Sequence, residues 1–150
     1  MSRFKVSKEV MDKLKEYSTS NLSDALDRLG IYGGCHEIKP VISGRKMVGS
    51  AFTLRYIPCG LEKGTVGDYI DDVEPGEVVV IDNAGRTCCT VWGDLLTLTA
   101  KQRGVAGTLI DGVCRDLDDI KMIDYPIFSK GYYMVTGKER VQVDGYNVPV

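Results

Sequence analysis

Between residues 76 and 135 the apolar pattern of this chain changes period several times, and that alternation limits the folds open to it. GEVVVIDN (76–83) is a valine-rich apolar run opened by a Pro-Gly turn, and it reads as a buried strand. GDLLTLTAKQRG (93–104) has helical spacing and is stopped by Gly104. VAGTLID (105–111) is a second strand, RDLDDIKMID (115–124) a second helix, and PIFSKGYYMV (126–135) a third strand. A β-α-β-α-β order predicts parallel strands joined by crossover helices, hence an α/β fold. Sheets of that kind bind ligands beyond the carboxyl ends of their strands. Here those ends carry Asp82-Asn83-Ala84-Gly85 and Asp111-Gly112-Val113-Cys114-Arg115-Asp116.

The flanks are read with less to go on. Residues 7–17 have helical spacing, with Val6, Val10, Leu14 and Tyr17 on one side. NLSDALDRLG forms a second helix, with Ser20 as its expected N-cap and Gly30 as its stop. KMVGSAFTLRYIP is a strand ending at Pro58, and ERVQVDGYNVPV reads as a hairpin turning at Asp144-Gly145. An uncovered second arm at Val150 predicts either a partner chain or a chain shortened at its carboxyl end.

Several functions are excluded at this stage. At 150 residues the chain is expected to form one domain over 1–150, burying roughly two-thirds of its unfolded surface. A net charge of -2 without any basic stripe argues against nucleic acid. Five cysteines without a CxxC pair argue against a disulfide framework, and a single histidine argues against a Cys/His zinc site. The opening MSRFKVSKEVMDKLKEY lacks the apolar core of a signal peptide, and no apolar run approaches membrane-spanning length. A cytoplasmic location without membrane contact is the expectation.

Chemistry concentrates at two junctions. WGDLL opens a helix, so the N–H groups of Leu95 and Leu96 belong to its unpaired first turn and suit a carboxylate. Arg115 can grip the same carboxylate through two nitrogens. Asp116 supplies a hard oxygen for Mg2+ or Mn2+, and Asp94 can hold water on that metal. Together these groups describe a site for a small 2-oxo acid, with the metal acting as Lewis acid while a C–C bond breaks. The plainer reading of Arg115-Asp116 is a helix cap beside a solvated arginine. Asp94 alone would be a first-turn carboxylate answering the helix dipole.

The spacing decides between them. Asp94, twenty residues, then Arg115-Asp116, inside GDLLTLTAKQRGVAGTLIDGVCRD, resembles the RraA-like family of class II pyruvate aldolases, and TSNLSDALDRLG resembles that family's amino-terminal helix. The resemblance covers residues 19 to 150. It implies a swivelling β/β/α domain and a homotrimer, sometimes doubled to a hexamer, with sites between subunits. It implies cleavage of 4-hydroxy-4-methyl-2-oxoglutarate, decarboxylation of oxaloacetate, or both, through a pyruvate enolate. Asp116 would then ligate Mg2+ or Mn2+, Arg115 would act in catalysis and binding, and Asp94 would orient. Gly93, Leu95 and Leu96 would contact substrate. Family members continue beyond NVPV with a GGV-type strand and a PGD-type turn, so the chain reads as truncated at its carboxyl end.

Other residues receive structural readings. Asp82 and Asp111 are read as turn formers. Asn83, Gly85 and Arg86 are read as a loop able to line the pocket. Cys88 and Cys89 are read as packing residues, as is Cys114. His36 is read as a hydrogen-bonded loop residue, and Trp92 as packing beneath the GDLL turn. The alternatives to a lyase are a non-catalytic RraA-type ribonuclease regulator and an inactive truncated scaffold. Lys130 is the one lysine placed for a Schiff-base mechanism.

Overall fold

The computed structural model describes residues 6–61 and 64–150. The first five residues of the amphipathic opening lie outside these. The described residues form helices α1 (Lys8–Glu16) and α2 (Thr19–Arg28), then strands β1 (Lys39–Pro40) and β2 (Ala51–Pro58). A 3-10 turn, Asp68–Asp72, leads to β3 (Val78–Thr90), α3 (Asp94–Gln102), β4 (Gly107–Cys114), α4 (Leu117–Ile123), β5 (Ile127–Tyr132) and β6 (Val141–Tyr146). One six-stranded sheet has the order β1-β5-β4-β3-β2-β6. Strands β2 to β5 are mutually parallel, while β1 and β6 pair antiparallel at the two edges. The expected β-α-β-α-β crossovers are therefore present as β3-α3-β4-α4-β5.

Period-2 burial builds the core. Phe52, Leu54 and Tyr56 alternate inward on β2, joined by Val79 and Ile81, Ile110 and Ile127 from the next three strands. Helices α3 and α4 cover this layer through Ala100 and Ile120. Trp92, just after β3, stacks on Tyr125, just before β5, with centroids 6.1 Å apart and planes within 5°. Both rings are buried, so the β3-α3 junction and the α4-β5 turn share one packing contact.

Three expectations are corrected. Helix α2 starts at Thr19, and its N-cap is Ser18 rather than Ser20. The Ser18 hydroxyl accepts from Asn21 N at 3.1 Å, and Asn21 Oδ1 accepts from Ser18 N at 3.2 Å. This reciprocal box uses asparagine where glutamate is usual, which hides it from a pattern search. Gly30 ends the helix as expected, in the left-handed region at φ 69°.

No hairpin forms at Asp144-Gly145. That pair lies inside β6, which runs against β2 from Pro58↔Val141 to Leu54↔Tyr146. Arg55 holds Asp144 at 2.8 Å from across the pair, and Phe52 stacks on Tyr146. The tail that would have been the second arm stays on β2, with Asn147 N donating to Thr53 O at 2.8 Å.

The Asn83-Gly85-Arg86 segment is not a pocket loop. It is a bulge inside β3, which advances from Asp82 to Arg86 while β4 advances only from Asp111 to Gly112. Ala84 and Gly85 fold the extra residues at φ 50° and 66°. Arg86 Nη1 ties the bulge back to Asn83 O at 3.0 Å, and Asn83 is fully buried. The Asp82 carboxylate accepts from Ala84 N at 2.7 Å, the turn-forming role expected of it.

Helices α1 and α2 bury none of their residues, so local caps carry much of their stability. Ser18→Ala should cost the α2 cap ~1 kcal/mol, raising amide exchange in α2 roughly fivefold. Ser20→Ala should leave exchange nearly unchanged. Equal effects of the two substitutions would return the cap to Ser20.

Candidate active site

The parallel pairing of β3 with β4 brings the starts of α3 and α4 side by side. Gly93 is the N-cap of α3, in extended backbone at φ -156°, and offers no side-chain cap. Asp116 occupies the N-cap position of α4, in the left-handed region at φ 60° and ψ 46°. That conformation is unfavourable for a side chain, though aspartate tolerates it better than most residues.

Asp116 does not cap its own helix. It makes no side-chain hydrogen bond to α4. Its Oδ2 instead accepts from Asp94 N, the first amide of α3, at 3.1 Å. The same oxygen lies 3.3 Å from Arg115 Nε. Gly93 is what lets the carboxylate come this close, because a Cβ there would sit 2.5 Å from Asp116 Oδ2 and 3.3 Å from Arg115 Nε. The plain cap reading of Asp116 therefore fails on geometry.

The junction is held from beneath. Trp92 Nε1 donates to Thr97 Oγ1 at 2.8 Å, and that hydroxyl donates to Gly93 O at 2.7 Å. Trp92 O accepts from Arg115 N at 3.0 Å, which fastens the second junction to the first. Trp92 thus packs under the GDLL turn as the sequence indicated.

The amide donors divide unequally. Leu95 N donates to the Asp94 carboxylate at 2.8 Å, whereas Leu96 N meets no protein acceptor among the described residues. The terminal nitrogens of Arg115 likewise have no partner among the described residues, and its side chain is 40% exposed. A two-pronged grip on a carboxylate is open to it. A cavity of about 440 Å3 adjoins the pair, lined by Arg115, Asp116, Leu117, Tyr132, Tyr133 and Met134. Gly93, Asp94, Leu95 and Leu96 are not in its lining; Gly93 and Asp94 adjoin it through Asp116. Tyr132, Tyr133 and Met134 escaped sequence reasoning, since they stand at and just past the end of β5 and reach Arg115 only through strand pairing.

The donor set fits a small divalent cation. Among the described residues no cluster of three His, Cys, Asp or Glu side chains surrounds Asp116. Mg2+ does not require one, because it usually keeps several waters and binds through one or two carboxylates together with substrate oxygens. Asp116 Oδ1 carries no hydrogen bond among the described residues and is the oxygen available to such an ion.

The remaining candidates fall elsewhere. Asp111 is no turn former; its carboxylate lies 2.7 Å from Lys130 Nζ. That bond raises the Lys130 pKa, keeping the amine protonated, the wrong state for Schiff-base chemistry. Cys89 and Cys114 are buried as expected of packing residues, and burial pushes both thiols up. Cys88 is exposed beside exposed Thr87, so the packing role expected of it is not met. His36 is exposed and 4.0 Å from Glu37, beyond hydrogen-bond reach.

Gly93→Ala should push the Asp116 carboxylate off the α3 amide, with an overpacking cost of ~1–3 kcal/mol. Asp94 N should exchange faster, while the far end of α3 keeps its protection. Unchanged exchange at Asp94 would show that the contact tolerates a Cβ.

Known proteins share this sequence and fold. Protein DlpA of Legionella pneumophila is 44% identical over 136 residues, which cover 88% of this chain but 22% of DlpA. A Halalkalibacterium halodurans protein named "Putative 4-hydroxy-4-methyl-2-oxoglutarate aldolase" is 30% identical, over 95% of this chain and 65% of its own length. The chain thus spans less than two-thirds of these relatives. The crystal structure of an uncharacterized Pseudomonas syringae protein superposes with a TM-score of 0.90 at 42% identity, over 98% of this chain and 70% of that one. Streptomyces coelicolor RraAS2, described as an unusual member of the RNase ES inhibitor RraA family, superposes with a TM-score of 0.89 at 26% identity, over 98% and 75%. Residues 19–150 match the sequence model of the RraA-like group, Aldolase/RraA, and the chain belongs to that family.

Proposed function

We propose that this chain is a divalent-metal-dependent lyase that cleaves a C–C bond of 2-oxo acids. One observation carries the reading: the Asp116 carboxylate turns away from its own helix and meets the α3 terminus beside Arg115. A carboxylate placed to cap would not adopt a left-handed backbone to reach a neighbouring helix. Substrates in keeping with the relatives' names and the sequence resemblance are 4-hydroxy-4-methyl-2-oxoglutarate and oxaloacetate. Both lose the bond between C3 and C4 and release pyruvate, so one site serves both.

Each residue has a part in this scheme. Arg115 binds the substrate's C1 carboxylate through its terminal nitrogens, and Leu96 N–H adds the positive end of α3. Asp116 Oδ1 would hold Mg2+ or Mn2+, which would supply Lewis-acid polarisation of the keto acid. Asp94, one oxygen fixed to Leu95 N, orients water with the other. Gly93 keeps the approach open. The reading includes a cytoplasmic location and a homotrimer or hexamer, the latter supported by exposed apolar side chains such as Tyr132 and Met134 in the cavity wall. Among the described residues no helix is long and apolar enough to cross a membrane.

A second reading, a non-catalytic ribonuclease regulator, draws on the superposition with RraAS2. Coupled detection of pyruvate released from both substrates separates the two. Turnover should require Mg2+ and vanish with EDTA. Arg115→Lys keeps the charge but loses the planar fork, so kcat/KM should fall roughly ten- to hundredfold. No Mg2+-dependent pyruvate release from either substrate would leave the regulator reading standing.

A further inference from the structure

We infer that Arg86 is a positioning residue for the candidate site: its clamp on the bulged part of β3 fixes where Gly93 meets Asp116. The inference deepens the reading of Asp116 as a metal ligand and rests on that reading for its consequence in metal binding.

The bulge has two parts. Strand β3 runs from Asp82 to Arg86 while β4 runs from Asp111 to Gly112, and then from Arg86 to Thr90 while β4 reaches only Val113. Among the described residues, Arg86 and Gly112 are the one register pair between these two excursions. Surplus chain on either side could pass from one excursion to the other, sliding Arg86 along β4. Slippage of this kind is the weakness of a strand whose register is loosely specified. Any slide would carry Thr90, Trp92 and Gly93 with it, since they follow in the same chain.

The Arg86 guanidinium opposes the slide. Its Nη1 donates to Asn83 O at 3.0 Å, to Asn83 Oδ1 at 3.3 Å and to Tyr56 O on β2 at 3.3 Å. One nitrogen thereby joins the first excursion to the neighbouring strand. Gly112 keeps the register pair close, because a Cβ there would lie 3.1 Å from Arg86 O and 3.1 Å from Asn83 Nδ2. Asn83 is fully buried, and its Nδ2 has no partner among the described residues. Without Arg86 its Oδ1 would lose its bond as well, leaving a buried amide with neither end satisfied. That loss favours rearrangement of the excursion, where Ala84 already stands in the left-handed region at φ 50°.

The path from Arg86 to the site is lightly held. Val91 N reaches Val113 O at 3.4 Å, a long bond, before Trp92 O accepts from Arg115 N. Gly93 then passes so close to Asp116 that a Cβ on it would lie 2.5 Å from Oδ2. A contact with that little clearance is sensitive to a small shift of the β3 end. The shift would reach Asp94 N and the carboxylate that this amide orients.

Hydrogen exchange and Mn2+ titration on the intact protein test the inference, with Arg86→Met, Arg86→Lys and Arg55→Met compared with the parent. Arg55 is the control, since it pairs with Asp144 on β6 and leaves the bulge alone. The readout is the exchange rate at Asp94 N divided by that at Arg103 N, at the far end of α3, so that a general loss of stability cancels. Arg86→Met should raise this ratio about tenfold and Arg86→Lys about threefold, because lysine returns one donor without the planar fork. Arg55→Met should leave the ratio within about twofold of the parent's. Arg86→Met should also bind Mn2+ at least about threefold more weakly. Should Arg86→Met not fold, the Arg86→Lys ratio decides. An unmoved ratio in the Arg86 variants, or an equal rise in Arg55→Met, overturns the inference. So does a raised ratio with parental Mn2+ affinity, which would sever the bulge from the metal ligand. Absence of Mn2+ binding in the parent removes the metal reading, and the exchange ratio then decides the positioning role by itself.

Discussion

A side-chain hydrogen bond, from the Asp94 amide to Asp116 Oδ2, joins the two halves of this site above the backbone bond from Arg115 N to Trp92 O. It links the start of α3 to the start of α4 and draws a carboxylate onto the positive end of a helix. Everything around it serves that contact. Parallel pairing sets the junctions side by side, Gly93 leaves room, and the Trp92-Thr97-Gly93 relay holds the turn from below. The buried stack of Trp92 on Tyr125 gives the arrangement a floor that side-chain motion does not easily disturb.

Because Asp116 Oδ2 is committed to the α3 amide and lies beside Arg115, its two oxygens are not equivalent. One orients the group, and the other is left for a ligand. A hard cation taking a single oxygen from the chain keeps coordination positions for water and for the keto acid itself. Arg115 shows the same division, with Nε turned to Asp116 and the outer nitrogens available. The pair thus works as one unit whose inner contacts fix its outer ones. That places the lyase proposal on the local geometry, beside what relatives are named.

The parts of this architecture visible in the sequence are the local ones. Valine-rich runs alternating with helical spacing led to β3-α3-β4-α4-β5, and the twenty residues between Asp94 and Arg115 are one helix and one strand, the repeat that returns the chain to the same end of the sheet. Pairing preferences between distant segments leave no such trace. Asp144-Gly145 has the composition of a turn, yet Arg55 and Phe52 on β2 keep β6 paired through it, with only a register slip at Asp144. The β3 bulge was hidden because Asn83, Gly85 and Arg86 look like any loop until β4 pairs on both sides of them. Tyr132, Tyr133 and Met134 lie beyond a further strand from the motif they adjoin, so only register could bring them to it.

The central claim is that Asp116 is a metal ligand rather than a cap. Mn2+ titration followed by electron paramagnetic resonance tests it on the protein without substrate, comparing the parent with Asp116→Asn. The account predicts saturable Mn2+ binding that the substitution lowers by at least about tenfold, with an unchanged circular dichroism spectrum, since asparagine fills the same space without the charge. Equal Mn2+ affinity in the two proteins would contradict it.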